Sequence, residues 1–204
     1  HIIAERLAAG AEVYVLTLTR GERGKVKLEE LKGLEGQLRA MGAFRTGELK
    51  VALTEFKKAG PKLQHSFAGT RAFLDSGMRI NGMGRPTKKS RTDEMALASA
   101  STAVISEDIE RVMNEFKPDA ILTYNAKGGY GHPDHIQAHR IAMRASELSK
   151  WQIQKIYWNT MPKSVLADGI AKMKEIGSDF FGAESVDDLP FAKDDEFVTI
   201  LIDG

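Results

Sequence analysis

Apolar residues follow two rhythms along this chain. The run Val13 to Leu18 is β-branched and apolar without clean alternation, as in a strand buried on both faces. Ala120 to Tyr124 and Ile153 to Trp158 read as strands too, and Leu63 to Phe67 as a shorter one. Between them apolar positions recur at helical spacing. Helices are predicted up to Gly10, from Leu28 to Met41 and from Thr46 to Ala59, with stops at Gly10, Gly42 and Gly60-Pro61. Further helices are predicted from Glu94 to Phe116, from Pro133 to Ser149 and from the Met161-Pro162-Lys163-Ser164 cap to Glu175, then a closing strand from Val198 to Ile202. Residues 69 to 91, rich in Gly, Arg, Ser and Thr, read as one long loop.

Strands alternating with helices predict an α/β fold: a Rossmann-like, mostly parallel sheet with helices on both faces. Such sheets bind ligands at the carboxyl ends of their strands. That singles out two loops, Thr19 to Lys25 and Asn125 to His135. The 204 residues suit a single domain. An opening in mid-helix without Met, and a strand cut short at Asp203-Gly204, lead us to expect further residues beyond both ends.

Charge narrows the partners. The formal net charge is +1, so no global field points to nucleic acid or a membrane surface. The basic cluster Arg85 to Arg91 has no interleaved aromatics and reads as solvated loop charge. No apolar run nears the ~20 residues that span a bilayer. The absence of cysteine removes disulfides and thiol nucleophiles, and it fits a cytoplasmic protein. Oligomeric state is not legible.

The chemistry concentrates in Tyr130-Gly131-His132-Pro133-Asp134-His135. Two imidazoles, a carboxylate and a phenol meet where a strand and a Gly-rich loop lead into a helix. Imidazole suits zinc and related divalent ions, but a catalytic zinc needs about three protein ligands. His139 stands four residues after His135 on the same helix face and offers a third imidazole. The alternative for the whole motif is a helix cap whose histidines only form hydrogen bonds. Gly128, Gly129 and Gly131 favour a ligand cleft, because they allow close backbone approach.

With these residues in view, the chain resembles the zinc-dependent N-acetylglucosaminyl deacetylases called LmbE-like or PIG-L-like. Val15-Leu16-Thr17-Leu18-Thr19-Arg20-Gly21-Glu22 looks like the family's TLTxGE segment. Phe73-Leu74-Asp75-Ser76-Gly77-Met78 resembles its RDSGM stretch, and Gly129 to His135 is similar to its second metal motif. Within the family, the form of that motif looks most like the actinobacterial enzyme that deacetylates N-acetylglucosaminyl-inositol in mycothiol biosynthesis. The sister amidase, which cleaves mycothiol S-conjugates, is similar and remains an alternative. So does a non-catalytic carbohydrate-binding domain. A nucleotide-binding domain is disfavoured, since no GxGxxG or P-loop follows the first strand.

The resemblance implies hydrolysis of an acetamide on a small N-acetylated amino-sugar substrate, with Zn2+ as cofactor, or Fe2+ in vivo. It implies that His135 binds the metal and that His132 stabilises the oxyanion or donates a proton. Asp134 would fix the tautomer of His132, and Tyr130 would hydrogen-bond the oxyanion. Arg45 and Asp75 would contact sugar or inositol hydroxyls. The alternative for Arg45 is a surface ion pair with Glu48 or Glu55, and for Asp75 an Asx turn before Ser76-Gly77. Glu22 lies in the loop facing the site, with simple solvation as its alternative, and is left out of the catalytic set. The family's first metal motif, His-Pro-Asp-Asp, is expected before residue 1, with the general base and two further ligands.

Overall fold

The computed structural model describes residues 2–69, 72–80, 86–87, 93–178, 180, 182–189 and 191–202. Most of the basic cluster from Arg85 to Arg91 lies outside these residues. The chain opens with α1 (Ile2–Ala8), β1 (Val13–Thr17), α2 (Leu38–Lys57) and β2 (Leu63–Phe67). Two short strands follow, β3 (Arg79–Ile80) and β4 (Pro86–Thr87), then α3 (Thr102–Phe116), β5 (Ala120–Tyr124), α4 (Pro133–Leu148) and β6 (Lys155–Asn159). The described chain ends with β7 (Met161–Pro162), α5 (Lys163–Glu175) and β8 (Ala192–Lys193).

The fold is α/β. β1 pairs with β2 in parallel, and β5 with β6 in parallel. Among the described residues the strands pair two by two. α3 and α4 pack closely and join the two main pairs. Ile105, Ile109 and Met113 of α3, with Ile141 and Ala145 of α4, form one buried cluster against Leu16 of β1, Leu18 just after it and Ile121 of β5. The edge of Tyr14 meets the Phe116 ring on this side, with centroids 5.3 Å apart. α1 and α2 pack against β1 and β2 as well, burying Leu7, Met41 and Leu63. Gly60 sits so close to Leu7 that a Cβ there would lie 2.5 Å from the Leu7 carbonyl oxygen. A second, smaller cluster of Leu166, Ile170, Ala183 and Leu189 holds α5 to the segment that follows it.

Three predicted elements differ. The segment 28–41 is not one helix: Glu29–Leu34 forms a 3-10 turn, Gly36 adopts φ +81°, and α2 then runs unbroken from Leu38 through Gly42. Gly42 is no stop. It is buried against Glu22, and a Cβ would stand 3.0 Å from the Glu22 Cγ. The helix predicted from Glu94 starts instead at Thr102. The preceding backbone pairs with a distant segment: Leu74 N–H donates to Met95 C=O at 2.8 Å and Leu97 N–H to Leu74 C=O at 2.9 Å. Finally, 198–202 forms no strand, and Ile200, Leu201 and Ile202 are exposed. A strand needs a neighbour for its backbone groups, and no described strand pairs with this segment.

Candidate active site

The site is built at the carboxyl end of β5, where α4 begins. Asn125 turns the chain: its Oδ1 accepts from the N–H groups of Lys127 at 3.0 Å and Gly129 at 3.2 Å. Gly128 then takes φ +67° with almost no space beside it. A Cβ there would lie 2.7 Å from the Ile136 nitrogen, so the turn excludes larger residues on two grounds. His132 caps α4, Pro133 takes the first helical position and Asp134 the first turn, each as helix-start chemistry favours.

The two histidines are held in opposite senses. His132 Nδ1 accepts from the Asp134 N–H at 3.1 Å. A neutral His132 ring therefore carries its proton on Nε2 and can donate. His135 Nδ1 lies 3.2 Å from the Gly128 carbonyl oxygen. That oxygen only accepts, so Nδ1 carries the proton and Nε2 bears the lone pair. Burial, and then the neighbouring His132, push the His135 pKa down to about 4. A neutral imidazole with Nδ1–H tied to a backbone carbonyl is the form in which histidine binds divalent metals. Tyr124 stacks on His135, with ring centroids 3.8 Å apart and planes 9° from parallel. Tyr130 meets His135 edge-on at 5.1 Å and His132 at 6.2 Å. Burial, then Tyr124 and Asp75, push the Tyr130 pKa up, so its hydroxyl stays a donor.

Asp134 is buried, and its carboxylate is engaged by Ser76. The Ser76 N–H donates to one oxygen at 2.9 Å and the Ser76 hydroxyl to the other. Burial pushes its pKa up, while the two Ser76 donors oppose the rise. Thus the backbone N–H of Asp134 sets the His132 tautomer, where the sequence suggested the carboxylate. Asp75 Oδ1 accepts from the Gly77 N–H at 2.6 Å, an Asx turn. Ligand-competent atoms of Asp75, His132 and Asp134 lie within 4.8 Å of one another, a set able to hold a cation. His132 is the weakest member, since its cap bond occupies the Nδ1 lone pair.

Other sequence candidates lie elsewhere. His139 Nδ1 bonds the Tyr124 carbonyl oxygen at 2.9 Å, and its ring meets the Trp158 edge. It pins the end of β5 to α4. Arg45 is exposed on α2 and pairs with Glu48 at 3.1 Å. It also borders a depression of about 200 Å³ at the end of β1, with Thr17, Thr19 and Gly21.

Sequence reading missed Ser76 and Tyr124, and it left Glu22 out of the catalytic set while placing it in the loop facing the site. Glu22 is not solvated: it is 5% exposed, and its Oε2 accepts from the N–H groups of Arg20 and Asp75. Its place just after a strand at the sheet's carboxyl end was the one available signal.

The GlcNAc-PI de-N-acetylase (PIG-L) family matches residues 1–146, and the chain belongs to it. Among curated relatives, the 1D-myo-inositol 2-acetamido-2-deoxy-alpha-D-glucopyranoside deacetylase 1 of Catenulispora acidiphila is 40% identical, over 99% of this chain and 64% of its own length. The 1D-myo-inositol 2-acetamido-2-deoxy-alpha-D-glucopyranoside deacetylase of Geodermatophilus obscurus is 37% identical, over 99% of this chain and 70% of its own length. The chain thus spans about two thirds of these relatives. The conserved protein TT1542 from Thermus thermophilus superposes with a TM-score of 0.44 at 16% identity, over 77% of this chain and 56% of that one. Among the described residues, no helix is long and apolar enough to cross a membrane.

Proposed function

We propose that residues 1–204 belong to one deacetylase domain, and that the complete protein hydrolyses the acetamide of N-acetylglucosaminyl-inositol to acetate and a free amine, a step of mycothiol biosynthesis, in the cytoplasm. One observation carries this reading: His135 is neutral, with Nε2 as its lone-pair nitrogen, beside two donors, Tyr130 and the Nε2–H of His132. The names of the similar deacetylases support the choice of substrate.

His135 Nε2 would hold the cation, zinc or ferrous iron. When bound, such an ion polarises the amide carbonyl and acidifies water. The remaining work falls to the protein's own groups. Tyr130 donates to the carbonyl oxygen as negative charge develops there. His132 donates a hydrogen bond from Nε2–H to the oxyanion. Asp134 stays fixed by Ser76 and keeps the start of α4, and so His132, in place. Asp75 and Arg45 accept and donate to hydroxyls of the sugar and inositol. Water adds to the carbonyl carbon as the general base implied by the resemblance takes its proton, the C–N bond breaks, and that proton passes to the nitrogen as it leaves as the amine.

The test is acetate release by the complete, zinc-loaded protein from N-acetylglucosaminyl-inositol, compared with a mycothiol S-conjugate. Acetate release from the first with little cleavage of the second is expected. Preference for the conjugate, or no turnover of either, would overturn the reading.

A further inference from the structure

Residues 22 and 23 together hold the backbone of Asp75 at both its N–H and its carbonyl. The Asp75 N–H donates to Glu22 Oε2 at 3.0 Å. The Asp75 carbonyl accepts from Arg23 Nη1. Arg23 is itself anchored by an ion pair with Asp93. The two contacts on Asp75 bridge 53 and 52 positions of sequence. They join the loop after β1 to the loop that carries Asp75 and Ser76.

Glu22 is set up for this task. It is 5% exposed, and burying a carboxylate is costly unless hydrogen bonds replace its water. Two backbone N–H groups do so, from Arg20 at 3.2 Å and from Asp75. Space for the side chain comes from Gly42 in α2, where any Cβ would press on Glu22 Cγ at 3.0 Å. Glu22 thereby fixes where the Asp75 side chain starts. One residue further on, Ser76 delivers both of its donors to Asp134.

We infer that Glu22 is a positioning residue: through the Asp75 N–H it sets the place of the Asp75 carboxylate, and so the binding of substrate hydroxyls. This deepens the proposed function and rests on it for the role of Asp75. Glu22 does not touch substrate. Loss of its grip should therefore weaken ground-state binding and spare the chemical step, raising KM with kcat little changed.

The experiment uses the complete zinc-loaded protein with N-acetylglucosaminyl-inositol as substrate. Glu22→Ala should raise KM roughly tenfold, the worth of one lost hydrogen bond, with kcat within about twofold. Glu22→Gln keeps an acceptor oxygen and should restore KM. Glu22→Asp shortens the arm and should raise KM even if the alanine variant fails to fold. Next to Asp75→Ala, a second change of Glu22→Ala should add nothing to KM. Effects that multiply in the double variant, or an unchanged KM in both Glu22→Ala and Glu22→Asp, would overturn the inference. Hydrogen exchange at the Asp75 amide separates this outcome from failure of the substrate reading. That amide should lose protection in Glu22→Ala and keep it in Glu22→Gln, whatever the protein hydrolyses. Unchanged protection in Glu22→Ala would sink the positioning role by itself.

Discussion

Ser76 donates twice to Asp134, once through its backbone N–H and once through its hydroxyl, across 58 positions of sequence. Ser76 is fully buried, and its oxygen also accepts from the Ala98 N–H. One small side chain therefore joins the Asp75 loop, the turn before α3 and the first turn of α4. Ser76→Ala leaves a buried carboxylate and a backbone amide each short of a partner. The variant should lose about 1–3 kcal/mol of stability. Urea unfolding measures this, and a loss below a few tenths of a kcal/mol would mean that the bond is not formed.

His132 and His135 should separate by role. In the complete protein, His135→Ala should abolish zinc retention. His132→Ala should keep zinc and lose turnover, by about 10²-fold or more, as for loss of an oxyanion donor. Metal analysis beside kcat decides it, and equal loss of zinc in both variants would refute the division.

Tyr130→Phe removes a hydroxyl while keeping the ring that packs on His135. Turnover should fall about 10²-fold with KM nearly unchanged, as for loss of one oxyanion donor. Binding of a substrate analogue that lacks the reactive carbonyl is the control and should not change. A turnover within a few-fold of the parent protein would remove Tyr130 from the oxyanion role.

Gly128→Ala forces a residue with φ +67° against the Ile136 backbone. Because the Gly128 carbonyl also holds His135 Nδ1, the change should cost stability and metal affinity together. A loss of about 1–3 kcal/mol is expected from the strained backbone alone. Thermal unfolding with and without zinc reads both effects.

Ile141 is completely buried between α3, α4 and the strands. Ile141→Ala should cost about 2–5 kcal/mol through lost burial and the cavity left behind. Denaturant unfolding should show the lower midpoint with the slope unchanged.

Local chemistry was legible. Pro133, the polar residues around it and the Gly-rich turn place the start of α4 within one residue. The strands at 13, 63 and 120 and the α/β alternation follow from short-range pattern as well. Misreadings arose where distant contacts override local preference. Gly42 reads as a helix stop, yet it is a glycine because Glu22 needs the room. Residues 94–101 have helical composition, yet their backbone pairs with Leu74.

The opposed tautomers of His132 and His135 show the same division. The sequence alone determined that two imidazoles, a carboxylate and a phenol sit between a strand and a helix, since spacing and cap chemistry are local. Only the tertiary structure decided which nitrogen of each ring keeps a lone pair, because that depends on which backbone group the folded loop turns towards it. It alone also brought Glu22, Asp75 and Ser76 to Asp134, since no local pattern records a contact made by chain folding over more than fifty residues.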